Sequence, residues 1–201
     1  QTSRVSREAP VLVLQYRDLV RVPGGAANAA NNLPRLAPGM YATLRPVQGA
    51  GFGEQTMLFD QAAFPPMTRT LGDVQVLLDD RPVPLHYVSP TQINIFVPFT
   101  APTSGTSEFQ VVRVSTGQIL GSYPVRMDVA SPGLFTANGS GTGQLAALNE
   151  DNTLNSGANP IGRGQVIQLF GTGQGLVSGA PPDGEPASGA ISTDARPRVI
   201  M

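Results

Sequence analysis

The chain of 201 residues contains no cysteine, no tryptophan and no lysine, and its 13 basic residues are all arginine. Without cysteine there are no disulfides, no thiolate-held zinc, no iron–sulfur cluster and no thiol nucleophile. Without lysine there is no Schiff-base enzyme, no phosphate-binding P-loop and no lysine–asparagine isopeptide cross-link. Histidine occurs once, at position 86, and charged residues make up only 13% of the chain. The 13 basic and 14 acidic side chains leave a net charge of −1, which gives no general electrostatic attraction to nucleic acid or to an anionic membrane surface. No apolar run approaches the roughly 18 residues of a membrane-spanning helix, so membrane insertion is not expected. The run Val11–Leu14 is soon broken by Arg17, Asp18 and Arg21, and does not read as the core of a signal peptide. A first residue of Gln rather than Met leads to the expectation of a processed, secreted product at the cell surface or outside the cell.

What the chain does have is 23 glycines and 19 prolines, about a fifth of its length. Glycine loses backbone entropy on ordering and proline breaks the hydrogen-bond ladder, so a mainly helical protein is excluded. A hydrophobic content of 40% still supplies a core, which argues against disorder. No segment has convincing helical periodicity. Strand signals dominate instead: Met40–Leu44, Val74–Leu78, His86–Val88, Gln92–Val97, Phe109–Ser115 and Ile119–Val129. Turns separate them, at Asp79-Asp80-Arg81-Pro82, Ser89-Pro90-Thr91 and Thr116-Gly117. Short strands at roughly 8–12-residue spacing predict an all-β sandwich. Its core is expected to hold Val74, Val76, Leu78, Tyr87, Ile93, Ile95, Val97, Val112 and Val114.

Upstream, residues 11–22 form an amphipathic strand pattern. Leu12, Leu14, Tyr16, Val20 and Val22 share one face, and Val11, Val13 and Leu19 lie on the other. Residues 24–39, rich in Gly, Ala, Asn and Pro, read as a linker. Downstream the pattern restarts. Gly39–Leu44 resembles Gly164–Leu169, and the same 125-residue offset lays Val74-Gln-Val76 over Val199-Ile-Met201.

The stretch LGDVQVLLDDRPVPLHYVSPTQINIFVPF (71–99) is similar to the signature of the Solibacter-type C-terminal domain, an uncharacterised bacterial family. SPGLFT (131–136), ALNEDNTLNSGANP (147–160) and IQLFGTGQG (167–175) resemble that family's next block, in the same order. The resemblance covers about residues 33–201, and the segment YVSPTQIN (87–94) carries most of it. It implies tandem Ig-like β-sandwich repeats on secreted or surface proteins, and it implies no activity. The expected organisation is a strand and linker over 1–32, an Ig-like domain over 33–130, and a second Ig-like domain over 131–201 that stops short of the family's closing strands.

The side chains able to carry chemistry are sparse. His86 has no neighbouring nucleophile or orienting carboxylate, and no G-x-S-x-G motif is present, so it reads as structural. The carboxylate pairs Asp79-Asp80, Glu150-Asp151 and Asp183 with Glu185 all fall in turn-like segments. Asn149-Glu150-Asp151-Asn152 has oxygen ligands but lacks the spacing of a calcium loop. Gly171-Thr-Gly-Gln-Gly175 misses the dinucleotide-binding spacing and no helix follows it. Asn138-Gly-Ser140 is a formal glycosylation sequon. No catalytic residue, metal site or cofactor is expected.

Three functional classes compete. The first is a non-enzymatic extracellular structural protein whose unfilled second domain accepts a β-strand from another subunit, giving a homo-oligomer or filament. The donor would be Val11, Leu12, Val13, Leu14, Tyr16, Leu19, Val20 and Val22. The second is an adhesive or carbohydrate-binding Ig-like module that recognises a surface glycan through exposed rings. The third, a hydrolase, lacks any of the required constellations.

Overall fold

The computed structural model describes residues 25–46, 51–52, 66–195 and the main chain of 57–58. The fold is all-β, and no helix occurs among the described residues. The expected strand over 11–22 and the repeat segment Val199–Met201 lie outside them.

Two five-stranded sheets face each other. The first is built from β1 (Gly25–Asn28), β3 (Tyr41–Arg45), β8 (Ile93–Phe96), β7 (Leu85–Val88) and β4 (Met57–Leu58), in that order. The second is built from β2 (Arg35–Leu36), β10 (Gln118–Met127), β9 (Thr106–Arg113), β5 (Val74–Leu78) and β6 (Arg81–Pro82). All pairings within them are antiparallel except the short parallel contact of β2 with the end of β10. The sequence reason is period-2 alternation: β5 buries Val74, Val76 and Leu78 and turns Gln75 and Leu77 partly outward. On the opposite sheet Leu44, Leu85, Ile93 and Ile95 are fully buried against them, together with Phe52 and Met40. One hydrophobic core lies between the two sheets.

Three readings of the sequence need correction. Val112 is only half-buried and Val114 is 50% exposed, whereas Phe109 and Val111 are fully buried. The run Phe-Gln-Val-Val-Arg-Val offers apolar side chains in both parities. The register that buries the larger Phe109 turns Val112 outward, and Val114 falls in the turn after β9. Tyr87 is likewise half-buried rather than core. Residues 24–39 are not simply a linker: they contain β1, which pairs along β3 from Gly25↔Arg45 to Asn28↔Ala42, and β2. Small side chains suit this edge, where Ala26 tucks into the core.

The β5–β6 connection is a two-residue hairpin turn in which both Asp79 (φ 46°) and Asp80 (φ 66°) adopt left-handed backbone. That is the geometry of the turn whose twist matches the flanking strands. Asp79 is also pinned across the sheet, its Oδ1 accepting from the Glu108 amide at 2.9 Å.

Residues 131–195 carry four two-residue strands: β11 (Gly133–Leu134) pairs with β14 (Gly171–Thr172), and β12 (Ala147–Leu148) with β13 (Gln168–Leu169). This region is bound to the sandwich by polar contacts. Asn28 Nδ2 donates to the Ser131 carbonyl (2.7 Å) and Ser131 Oγ to the Arg35 carbonyl (2.8 Å). The Tyr41 amide donates to Thr172 Oγ1 (2.8 Å), Gln174 Nε2 to the Gly39 carbonyl (3.1 Å) and the Phe99 amide to Asp183 Oδ1 (2.7 Å). Gly173, at φ 88°, is pressed so closely on the chain at Ser131 that a Cβ there would run into the Ser131 carbonyl. This close approach, not phosphate binding, accounts for the glycine in the 171–175 segment.

Candidate functional site

An opening with ring-lined walls sits where the first sheet meets the 131–195 region. A cavity of about 310 Å³ is lined by Ala29, Tyr41, His86, Asn94 and Phe135. Tyr41 leaves the outer face of β3 and Asn94 that of β8, where both are half-buried. Phe135 comes from the segment after β11, held by its amide to the Phe170 carbonyl at 2.9 Å.

His86 owes its position to a β-bulge. Leu85 pairs with Ile95 and Tyr87 with Asn94, so His86 is the extra residue between two successive pairs. A bulge kinks its strand and re-aims the side chain it carries. The imidazole meets Tyr41 edge to face, with centroids 5.6 Å apart. Tyr41 in turn meets Phe96 at 5.7 Å, and Phe96 meets Phe99 at 5.4 Å, so a chain of rings runs across the sheet face. His86 Nδ1 is buried and has no hydrogen-bond partner among the described residues. Burial pushes its pKa below the ordinary histidine value, and burial also raises that of the Tyr41 phenol. Both therefore stay neutral at physiological pH.

Asn94 is fixed by its neighbours: its Oδ1 accepts from Thr43 Oγ1 at 3.0 Å and from Gln92 Nε2 at 2.9 Å. Gln92 and Ser89 close the turn before β8, the Ser89 hydroxyl and Gln92 backbone bonding each other in both directions at 3.0 Å. The segment YVSPTQIN thus forms a tight hairpin connection that ends on the cavity wall.

The remaining sequence candidates lie apart from this site. Asp79 and Asp80 make the β5–β6 turn. Asp151 caps its own turn by accepting from the Thr153 amide (3.0 Å) and hydroxyl (2.7 Å), which holds its carboxyl below the usual pKa. Asp183 anchors the Phe99 amide. Asn138 Oδ1 accepts from the Ser140 amide, so the sequon lies in an Asx turn. No group of three or more metal-capable His, Asp or Glu side chains occurs among the described residues.

Around Asn149 the region holds itself together with amides. Asn149, 7% exposed, donates to Thr153 Oγ1 (3.3 Å) and to the Asn159 carbonyl (3.2 Å), and its Oδ1 accepts from Asn155 at 2.8 Å. Asn159 Nδ2 reaches Thr153 Oγ1 (2.8 Å), and Gln168 reaches Asn152 (3.0 Å). These oxygens are spent on internal donors, so the 149–152 turn is a folding device.

Among the described residues, two surfaces bear on strand addition. On its outer side β10 is paired by β2 only through Arg126 and Met127. Pro124, which has no N–H, and a bulge between Ile119 and Gly121 interrupt that edge, making it a poor template for strand addition. The other surface is the 131–195 region. Its only fully buried apolar side chain is Ala147, while Leu154 (72%), Val166 (63%), Phe170 (46%), Leu176 (39%) and Ile191 (37%) are exposed.

The chain matches no protein-family model, no curated protein and no solved structure. Sequence reasoning singled out His86, and singled out SPGLFT and YVSPTQIN as motifs, but did not join them. Only the fold brings Phe135 and Asn94 to the same cavity, because they lie on elements far apart along the chain.

Proposed function

We propose that the protein is a non-enzymatic structural module of the cell surface or extracellular space, built from Ig-like units, that polymerises by strand exchange. The Ig-like reading rests on strand order. Sheets β1-β3-β8-β7 and β10-β9-β5, with the first strand's continuation β2 crossing over to pair with β10, follow the connectivity of Ig domains. The similarity of 71–99 to the Solibacter-type domain points the same way.

The observation that carries the assembly reading is the state of residues 131–195. Five large apolar side chains are exposed there, over a region whose one buried apolar side chain is Ala147. Exposed apolar side chains over so small an apolar interior support the reading that a partner covers this region. The occupant is the segment Val11–Val22 of a second copy, whose alternating apolar side chains suit strand addition.

Donor and acceptor are different surfaces of one chain, so the contact between copies is heterologous. Head-to-tail repetition of such a contact builds an open chain unless the rotation happens to close it.

The absence of native cysteine makes the test clean. Leu14→Cys and Leu154→Cys in one chain, oxidised under assembly conditions, should give a ladder of covalent multimers on a non-reducing gel, whereas each single variant gives dimers at most. Deleting residues 1–23 should leave monomers by light scattering. Filaments from the deleted chain, or only intramolecular cross-linking in the double variant, would show the reading to be wrong.

A further inference from the structure

We propose that the cavity between Tyr41, His86 and Phe135 is a binding subsite for one neutral pyranose ring, the terminal sugar of a glycan. This inference is independent of the assembly reading, since it concerns the outer face of the first sheet rather than the exposed side chains of 131–195.

Size sets the first limit. At about 310 Å³ the cavity is at the small end of ligand sites, with room for a single ring rather than an extended molecule. Charge sets the second. The walls are three rings, one amide and one methyl group, and both titratable members, Tyr41 and His86, are held neutral by burial. A phosphate, carboxylate or ammonium ligand would enter without a counter-charge, at a high desolvation cost. The ligand is therefore uncharged.

Polarity separates a sugar from a hydrocarbon. Aromatic faces are electron-rich and attract the weakly positive C–H edges of a saturated ring. An apolar side chain from a protein partner would satisfy Tyr41 and Phe135 equally well, but would leave two polar groups unanswered. Asn94 has its oxygen already engaged by Thr43 and Gln92, so its remaining capacity is as an N–H donor. The Tyr41 phenol, half-buried on the same wall, has no hydrogen-bond partner for its hydroxyl among the described residues, while His86 contributes its ring. Sugar hydroxyls, at once donors and acceptors, answer both groups while the ring's C–H face lies on the aromatics.

Saturation-transfer NMR on the full chain tests this, using the methyl pyranosides of glucose, galactose, mannose and N-acetylglucosamine as probes. At least one should receive saturation at its ring protons. Its Kd should rise about tenfold or more in Phe135→Ala and in the shape-conserving Tyr41→Phe, corresponding to the loss of one stacking or hydrogen-bonding contact. Phe135→Tyr should keep binding, as should the distant Ile119→Ala, and unchanged melting temperatures exclude unfolding as the cause. Saturation of none of the four sugars overturns the proposal, as does binding that survives both Phe135→Ala and Tyr41→Phe. Binding of p-cresol without any sugar also overturns it, and assigns the cavity to an apolar side chain of a protein partner.

Discussion

The end of β9 makes a sharp test of the fold, because two valines close together in sequence, one in the strand and one in the turn after it, differ in burial. Val111 is fully buried between the sheets and Val114 is 50% exposed. Truncation of either to alanine removes the same two methyl groups. At Val111 these groups leave a dry core. The transfer loss is about 0.8 kcal/mol per carbon, or about 1.6 kcal/mol in all. The void left behind adds about 1 kcal/mol, since neighbours in a close-packed interior such as Phe109 and Val76 relax only partly. Val111→Ala should therefore cost about 2–3 kcal/mol, and Val114→Ala about 0.5 kcal/mol or less. In urea, with a slope of about 2 kcal/mol per molar, the first shifts the midpoint by about 1–1.5 M and the second by a few tenths. The control matters because the sequence alone places Val114 in the core. Equal shifts, or a larger one for Val114→Ala, would show that the end of β9 and the turn after it are wrongly placed against the core.

Other outcomes follow from single residues. Gly173→Ala should detach β14 from its seat at Ser131, giving a loss of amide protection at Thr172 and Gln174 by hydrogen exchange while the β5–β9–β10 sheet stays protected; uniform protection would refute the close approach. Asp80→Gly should stabilise the chain by about 0.5–1 kcal/mol in thermal melts, because glycine adopts the left-handed turn without steric cost; a loss would mean the turn is not of this type. His86, the single histidine, should titrate by NMR below the ordinary value of about 6.5. Its folded pKa is depressed, so the stability it contributes is present above about pH 6.5 and lost as pH falls towards the folded value; a measured pKa at or above 6.5 would contradict its burial. Asp73 accepts the Ser115 amide at 2.9 Å and hydroxyl at 2.5 Å, and its carboxyl should titrate below the free-aspartate value of about 3.9, with the Ser115 hydrogen bonds lost only as pH falls through that lower value.

The all-β class was legible because its signals are local. Val74-Gln-Val76-Leu77-Leu78 can bury one parity only as a strand, and Asp79-Asp80 before Arg81-Pro82 marks its turn. The face of β9 was not legible, since Phe109 to Val114 is apolar in both parities and packing against the other sheet decides between them. Nor were β1 and β2, whose Gly, Ala and Leu residues become strands only because β3 and β10 offer them an edge. The cavity shows the same division. The bulge at His86 is a property of the β7–β8 ladder, and Phe135 reaches it only through hydrogen bonds that close over 96 or more residues of chain.

The amide network around Asn149 gives its region a different thermal character from the sandwich. The heat-capacity change of unfolding grows with the apolar area released to water and shrinks with the polar area. The sandwich, with its valines, leucines and isoleucines between two sheets, releases much of the former. The Asn149–Asn159 segment, tied by Asn155, Thr153 and Asn159, releases mostly the latter. Its free energy of folding is therefore nearly a straight line against temperature rather than a dome, falling steadily on heating and showing no cold-induced loss. In a calorimeter it would yield enthalpy with almost no step in baseline, and chilling would loosen the sandwich before it loosened this knot of asparagines.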